Sequence, residues 1–200
     1  MPKTADVRIG APEQGVTGAI KHAPLGTTLP TLSSISKTGV QLDSAFTGNE
    51  YVSEDGLTLT PNISTTDIKD WSGAVVRKVL ESFDGQLAWT MISTNEEAMK
   101  TAFGTANVTA NAATGNHGTQ TRTALGAELP ERQEFVFLMK DGDARIVIVV
   151  PEGQVTEVGE VTFASNAAVG WNVTLSCYPD SSGKSIYIMT DDGVLDDSES

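Results

Sequence analysis

Short segments in which apolar side chains alternate with polar ones, or continue without interruption, recur along most of this chain. The clearest is WNVTLSCY at 171–178, where the alternation is strict. A period of two places one set of side chains on the buried face of a strand. By this criterion strands are predicted at 57–60, 74–83, 87–93, 134–140, 144–150, 154–163, 171–178 and 185–190. We therefore expect a mainly β fold, an antiparallel sandwich or barrel of about nine or ten strands.

Turn and capping residues indicate how these segments connect. Asp-Gly dipeptides stand at 84–85 and 141–142, and each predicts a hairpin because this dipeptide tolerates the positive φ of a tight turn. One helix is predicted at about 95–103. Thr94 and Glu97 have the spacing of a capping box, and Gly104 suits the C-terminal cap. The apolar residues of this segment share one face, so the helix is expected to pack on the sheet.

The rest of the chain divides by composition. Residues 1–50 are rich in Gly, Pro, Ser and Thr, which predicts an extended arm or loop region integral to the domain. Residues 51–193 form the predicted β-sandwich domain, with two weak strands about a turn at 115–118. The last ten residues hold five acids and no base, so 194–200 is expected to be an acidic flexible tail.

Charge and cysteine content exclude several classes of protein. The 200 residues carry a net charge of -13, which argues against a broad nucleic-acid-binding surface because phosphates would be repelled. DNA that only passes the protein is still compatible with this charge. The single cysteine excludes an intrachain disulfide. We find neither an apolar run of signal-peptide length nor a membrane-spanning stretch, so a soluble protein made in a reducing cytoplasm is expected.

Few side chains are suited to catalysis or metal binding. His22 and His117 lie in Gly- and Pro-rich segments without partners at metal-ligand spacing, so both are predicted to be surface histidines. Cys177 falls on the inward face of its strand and is predicted to be a small buried apolar residue. Adjacent acids such as Glu54 and Asp55 are typical of solvated surfaces. We therefore predict no catalytic residue, no cofactor site and no metal site.

The segment 134–150 is apolar on both faces of its predicted hairpin. An antiparallel sheet normally buries one face and exposes the other, so the second face must be covered by the helix, by another sheet or by another subunit. We favour a subunit interface, and complete coverage within the chain remains the alternative. The candidate inter-subunit contacts are Phe135, Val136, Phe137, Leu138, Ile146, Val147, Ile148 and Val149.

Two stretches resemble a known family. Residues 54–104 (EDGLTLTPNISTTDIKDWSGAVVRKVLESFDGQLAWTMISTNEEAMKTAFG) and the final WNVTLSCYPDSSGKSIYIMTDDG are similar to parts of major tail tube proteins. The relatives in question come from long, non-contractile-tailed (siphovirus-type) bacteriophages of actinobacteria. The resemblance covers most of the chain and is strongest at 51–104 and 131–193. It carries over no catalytic residue.

The resemblance implies a β-sandwich subunit of hexameric rings that stack into a tail tube. The lumen of such a tube holds the tape measure protein and conducts DNA during genome delivery without binding it tightly. Implied partners are further copies of the subunit, the tape measure protein, and the tail terminator and distal tail proteins, with no membrane. The implied location is the virion tail, assembled in the bacterial host cytoplasm. A virion decoration module or a carbohydrate-binding β-sandwich is the alternative expectation.

Overall fold

A computed structural model of the chain describes residues 7–13, 18–48 and 50–195. The elements are β1 Ile20–Pro24, β2 Ile35–Ser36, β3 Gly39–Val40, β4 Val52–Lys69, β5 Val75–Met91, α1 Glu96–Phe103, β6 Val108–Asn111, β7 Gln120–Thr123, β8 Gln133–Asp141, β9 Ala144–Val158, β10 Trp171–Tyr178 and β11 Tyr187–Asp191. Strands pair antiparallel throughout the described part of the chain. The expectation of a mainly β antiparallel fold with one α-helix is confirmed.

One seven-stranded sheet organises the molecule. Its order is β1-β8-β9-β10-β5-β4, and β11 pairs with β9 beside this path. β9 changes partners along its length, because residues 145–149 pair with β11 whereas residues 152–158 pair with β10. One face of the sheet packs together with α1 around the main core.

The main core lies between this sheet and the helix. Its members come from β1, β5, α1, β6, β8, β9 and β10: Ile20, Leu87, Trp89, Met91, Ala98, Met99, Ala102, Val108, Phe135, Phe137, Ile148, Val150, Val155, Val173, Leu175 and Cys177. Of the residues predicted to face inward in 171–178, Val173, Leu175 and Cys177 are buried, and Trp171 is half-buried against the same core. Strict alternation on β10 thus places one side chain in every two in this core.

A second, smaller core covers the opposite face of the β8–β9 hairpin. It consists of Ala23, Ile35, Phe46, Val136, Leu138, Val147 and Val149. The covering residues Ile35 and Phe46 belong to the segment between β1 and β4, which folds back over the sheet. Both faces of this hairpin are therefore covered by residues of the same chain.

The helix begins one residue later than the capping-box spacing suggests. Asn95 is the N-cap, and its side-chain oxygen accepts a hydrogen bond from the Ala98 N–H at 2.8 Å. The box predicted from Thr94 and Glu97 is therefore wrong. Thr94 instead accepts a 3.3 Å hydrogen bond from the Trp171 indole. The predicted C-terminal cap is confirmed, because Gly104 has φ 87° and its N–H donates to the Lys100 carbonyl.

The two predicted Asp-Gly hairpins have different outcomes. The turn at 141–142 is confirmed, with Gly142 at φ 60° between β8 and β9. The turn at 84–85 is wrong, because β5 continues through it and pairs with β4 and β10. Gly85 is closely packed there, because a Cβ on it would lie 2.7 Å from Cδ1 of Ile186 and 3.0 Å from the Phe83 ring, so a larger residue would require these side chains to shift. A local turn preference is overridden by a tertiary contact.

The two regions without a clear pattern also contain strands. β6 and β7 pair across the predicted turn near 115–118. Within residues 1–50, β1 is an edge strand paired with β8, and its His22 also exchanges backbone hydrogen bonds with Thr47. The described part of the predicted arm thus contributes to the sheet. The boundaries at 50 and 193 stay predictions, and residues 196–200 of the predicted tail lie outside the described residues.

Candidate assembly surfaces

A long β-hairpin, formed by β4 and β5, extends beyond the body of the subunit. Every residue from 60 to 84 is exposed, on both arms and at the turn. This is the result of strand length: β10, the neighbour of β5, reaches only as far as Gly85. The exposed large apolar residues of the hairpin are Ile63, Ile68, Trp71, Val75, Val76, Val79, Leu80 and Phe83. Large apolar side chains exposed in this number on one element indicate an interaction site.

One side of the hairpin, which we name the apolar hairpin face, consists of Ile63, Leu80 and Phe83. Ile63 lies opposite Phe83 in the register, and Leu80 follows next along the same side across a β-bulge. The odd-numbered positions of β5 continue from Phe83 directly into the buried Leu87 and Trp89. This face is therefore an extension of the core-facing side of the sheet that nothing in the described chain covers.

The turn of the hairpin is held by hydrogen bonds. The Asp70 carboxylate accepts from the N–H groups of Ser72 and Ala74 and from the Ser72 hydroxyl, at 2.9, 2.9 and 2.6 Å. These bonds, chiefly that from the Ser72 hydroxyl, lower the pKa of Asp70. The neighbouring Trp71 side chain is fully exposed. A fixed turn thus presents one large aromatic ring at the tip.

The other side of the hairpin carries the polar residues Ser64, Thr66 and Glu81. The Glu81 carboxylate accepts hydrogen bonds from the hydroxyls of Thr66 and Ser64, which lower its pKa. Nearer the tip, on the same side as Ile63 and Leu80, Lys78 forms a 2.7 Å ion pair with Asp67. These cross-strand contacts link the two arms where no sheet neighbour supports them.

Below the hairpin, the same polar side continues over the body of the sheet. We name this surface the polar sheet face: Thr58, Thr60, Gln86, Thr90, Gln154, Thr156, Thr174 and Ser176. Thr156 and Ser176 are hydrogen-bonded to each other at 2.8 Å. The strand segments 52–60, 85–91, 152–158 and 171–178 contain no Lys or Arg. The strands of this face therefore offer hydroxyl and amide groups, and a cation reaches the face from outside them: the Arg132 guanidinium, which stacks on Tyr178 and pairs with Glu152.

The eight candidate inter-subunit residues lie elsewhere. Seven of them are buried within the subunit, and only Ile146 is half-buried. Their two faces are covered by the main core and the second core, as the alternative left open by the sequence anticipated. Contact of these residues with another subunit stays a prediction. The uncovered apolar surface is on the β4–β5 hairpin, whose residues 75–83 are as apolar as a core strand in sequence.

The cysteine and the two histidines that were considered for catalysis or metal binding lie in different parts of the fold. Cys177 is buried as predicted, and burial raises the pKa of its thiol to about 12, so it is an inert side chain at neutral pH. His117 is exposed in the loop between β6 and β7. The prediction of a surface histidine is wrong for His22, which is only 5% exposed on β1. A single edge strand next to Thr47, Gly48 and Glu50 gives no periodic pattern in the sequence from which this burial could be recognised.

His22 belongs to a buried polar cluster. Glu50 is also buried, and its Oε1 accepts a 2.6 Å hydrogen bond from the Thr101 hydroxyl of α1. The adjacent Lys21 donates from Nζ to the Gly48 carbonyl at 2.7 Å. Burial lowers the pKa of His22, and the nearby Glu50 carboxylate opposes part of that shift. The cluster joins β1, the segment before β4 and the helix.

Two further findings concern the described part of the chain. It contains no group of three or more His, Cys, Asp or Glu side chains placed to hold a metal ion. Nor does it contain a helix of sufficient length and apolar character to cross a bilayer.

An antiparallel β subunit with a long uncovered hairpin is typical of a structural protein that assembles through its strands.

Comparison with known proteins agrees with this class. The chain belongs to the phage tail tube protein family, whose model matches residues 13–196. It is therefore a structural, non-enzymatic component of a virion tail, which assembles with itself and with other tail proteins. A solved structure, the cryo-EM structure of the anti-feeding prophage cap (AFP tube terminating cap), aligns over 96% of this chain and 100% of that one, at 12% identity and a TM-score of 0.43. A search of curated proteins finds no match.

Proposed function

We propose that this protein is the tube subunit of a siphovirus-type tail, as in phages of actinobacteria, and that it forms hexameric rings stacked into a tube. The rings assemble in the host cytoplasm and surround a lumen that holds the tape measure protein and later conducts DNA. The tail terminator and distal tail proteins contact the two ends of the tube. The observation that carries this proposal is the apolar hairpin face, which is continuous with the core and uncovered in the single subunit.

The polar sheet face supports the part of the proposal that concerns DNA. A surface that conducts DNA must not hold it, and phosphate contacts come mainly from Lys and Arg. The four segments that form this face lack both residues, and they carry the acids Glu152 and Glu157, of which Glu152 is paired with the neighbouring Arg132. We infer that this side of the sheet lines the lumen. The net charge of -13 is consistent with that role.

The hairpin can be tested by making its apolar face polar without lowering strand propensity. The triple variant Ile63→Thr, Leu80→Thr, Phe83→Thr should fold normally, because all three side chains are exposed in the subunit. It should require on the order of a hundredfold higher concentration to assemble, since several apolar side chains would no longer be buried. Sedimentation velocity measures the assembly, and circular dichroism the fold.

A matched control replaces three apolar residues that are equally exposed but lie outside the hairpin. Leu125→Thr, Leu129→Thr and Ile188→Thr meet this requirement. The proposal predicts that the control assembles like the unmodified protein. If the hairpin variant assembled at the same concentration as the unmodified protein, the proposed role of the hairpin in subunit contacts would be contradicted.

A further inference from the structure

We propose that the apolar hairpin face of one subunit occupies a groove on a second copy of this chain, between the start of β4 and the N-terminal segment 9–13. This inference rests on the self-assembly proposed above and identifies the two surfaces that meet. The groove has a volume of about 480 Å³. Its apolar lining includes Ile9, Ile20, Val52, Leu57, Phe137 and Met139.

The groove lies beside an unpaired strand edge. β4 pairs with β5 alone, so in the described chain the outer edge of its first residues has no partner strand. The opposite wall is the segment 9–13, which follows the end of β8 through backbone hydrogen bonds from Glu13 to Leu138 and from Lys140 to Ala11. The buried Ile20 and Phe137 lie beneath. An apolar floor with an unpaired strand edge beside it is a site for an incoming β segment.

The hairpin of the same subunit is unable to fill this groove. Ile63 is six residues beyond Leu57 on β4, which corresponds to about 20 Å of extended strand. The two arms stay paired across this distance, through Pro61 opposite Gly85, so the hairpin does not fold back. The occupant must therefore come from another molecule, and a second copy supplies an apolar strand face of matching character.

Charge complementarity supports this seating. Lys69 and Arg77 near the tip of the hairpin form no ion pair with any described residue. At the rim of the groove, the side chains of Glu54 and Asp55 are exposed and likewise form no ion pair there. When apolar residues meet in the middle of an interface, opposite charges at its rim select the partner and orientation. Lys69 and Arg77 are complementary to the acidic rim in this sense, whereas the Asp70 carboxylate at the tip is engaged by the hydrogen bonds of the turn.

The contact is head-to-tail, since a hairpin on one copy meets a groove on the next. In a linear array of such contacts, the subunit at one end has a free hairpin and the subunit at the other end has a free groove. Such heterologous contacts produce a closed ring or a continuing helical array. Both outcomes are compatible with a tube, whereas a contact between two hairpins would stop at a dimer.

Disulfide trapping tests the pairing directly. One preparation carries Leu80→Cys on the hairpin and the other Ile9→Cys at the groove, both at exposed positions. The native Cys177 is buried, with its pKa raised to about 12, and does not react under mild oxidation. Mixing the two preparations under assembly conditions should give a disulfide-linked dimer. Ile9→Cys mixed with Leu125→Cys, which is equally exposed outside the hairpin, should give at least about tenfold less.

Charge exchange provides a second measurement that does not depend on the cysteine variants. Lys69→Glu with Arg77→Glu should raise the concentration required for assembly by about tenfold, which is the effect of a modest loss of rim attraction. Adding Glu54→Lys and Asp55→Lys should restore assembly. The inference is overturned if the unmodified protein assembles but neither the 9–80 cross-link nor the rescue appears, or if Leu80→Cys cross-links mainly to itself. A protein that does not assemble at all contradicts the proposed function instead.

Discussion

At the residue scale, the buried polar cluster around His22 is the feature most sensitive to solution conditions. His22 lies against the Phe135 ring, with centroids 6.1 Å apart, and its Nε2 has no hydrogen-bond partner among the described residues. The charged groups that influence it are Glu50, Glu97, Glu131 and Lys100. Burial is the largest effect and lowers its pKa below 6.5. A charge at this position would therefore oppose the fold.

This arrangement predicts a loss of stability in mild acid. The unfolded chain binds a proton at His22 near pH 6.5, whereas the folded chain binds it only at lower pH. The free energy of unfolding should therefore fall as the pH decreases from about 6.5 toward the lowered pKa, by about 1.4 kcal/mol for each unit of lowering. Above about pH 6.5, the histidine contributes no pH dependence.

Urea unfolding of the unmodified protein and of His22→Gln from about pH 5.5 to about pH 8 measures the effect. The variant should show the smaller decrease on acidification. Glu134, whose pKa is raised by burial, acts in the opposite direction, but it is present in both proteins and cancels in the difference. Equal slopes for the two proteins would show that His22 does not titrate in a buried site.

A second residue-scale prediction concerns Gly48, where the chain passes close to β1. Its φ is 146°, and a Cβ would lie 2.2 Å from the Ile20 carbonyl oxygen. Gly48→Ala should therefore lower the free energy of unfolding by more than about 2 kcal/mol. Gly26→Ala is the control, because Gly26 has a φ of 91° but open space around it. Equal losses in thermal or urea unfolding would assign the effect to φ alone.

At the element scale, the N-terminus of α1 distinguishes Thr94, the N-cap predicted from the capping-box spacing, from Asn95, the N-cap in the structure. Asn95→Ala removes the acceptor for the Ala98 N–H and should cost about 1 kcal/mol of stability. Thr94→Val removes only the longer hydrogen bond with the Trp171 indole and should cost less. Urea unfolding of the two variants measures the difference. A larger loss for Thr94→Val would restore the capping box predicted from sequence.

The sequence predicts elements well where one face is buried and poorly where both are exposed. β10 and the β8–β9 hairpin follow from alternation and a local turn. The distal half of β4 was missed because Pro61 and Asn62 suggested an end to the strand, although Pro61 is tolerated at an unpaired edge. The pattern at 74–83 predicts a strand, and β5 covers this segment from Val75, but the pattern does not indicate whether its apolar residues are covered. Only the length of β10 shows that they are uncovered.

At the scale of the whole molecule, the two sides of the sheet have different proposed roles. The apolar side continues into the hairpin that makes contacts, and the polar side faces the proposed lumen. Thr174→Lys with Gln86→Lys places cations on the polar sheet face while leaving the main core unchanged. Tubes of this variant should retain short duplex DNA at low salt and release it as salt is raised.

The control for this experiment is Asn116→Lys together with Thr119→Lys, both in the exposed β6–β7 loop. It adds the same charge outside the proposed lumen. Co-sedimentation of labelled DNA with tubes should be greater for the lumen variant than for the control and for the unmodified protein. Equal retention by the two lysine variants would contradict the assignment of this face to the lumen.

The central claim is that the chain builds a tube from rings joined by its β4–β5 hairpin. Cryo-electron microscopy of the purified, assembled protein tests it most directly. We expect stacked sixfold rings. In these rings Ile63, Leu80 and Phe83 should be buried against the next subunit, and the polar sheet face should border the lumen. A monomer that persists at high concentration, or a tube in which these three side chains remain exposed to solvent, would contradict it.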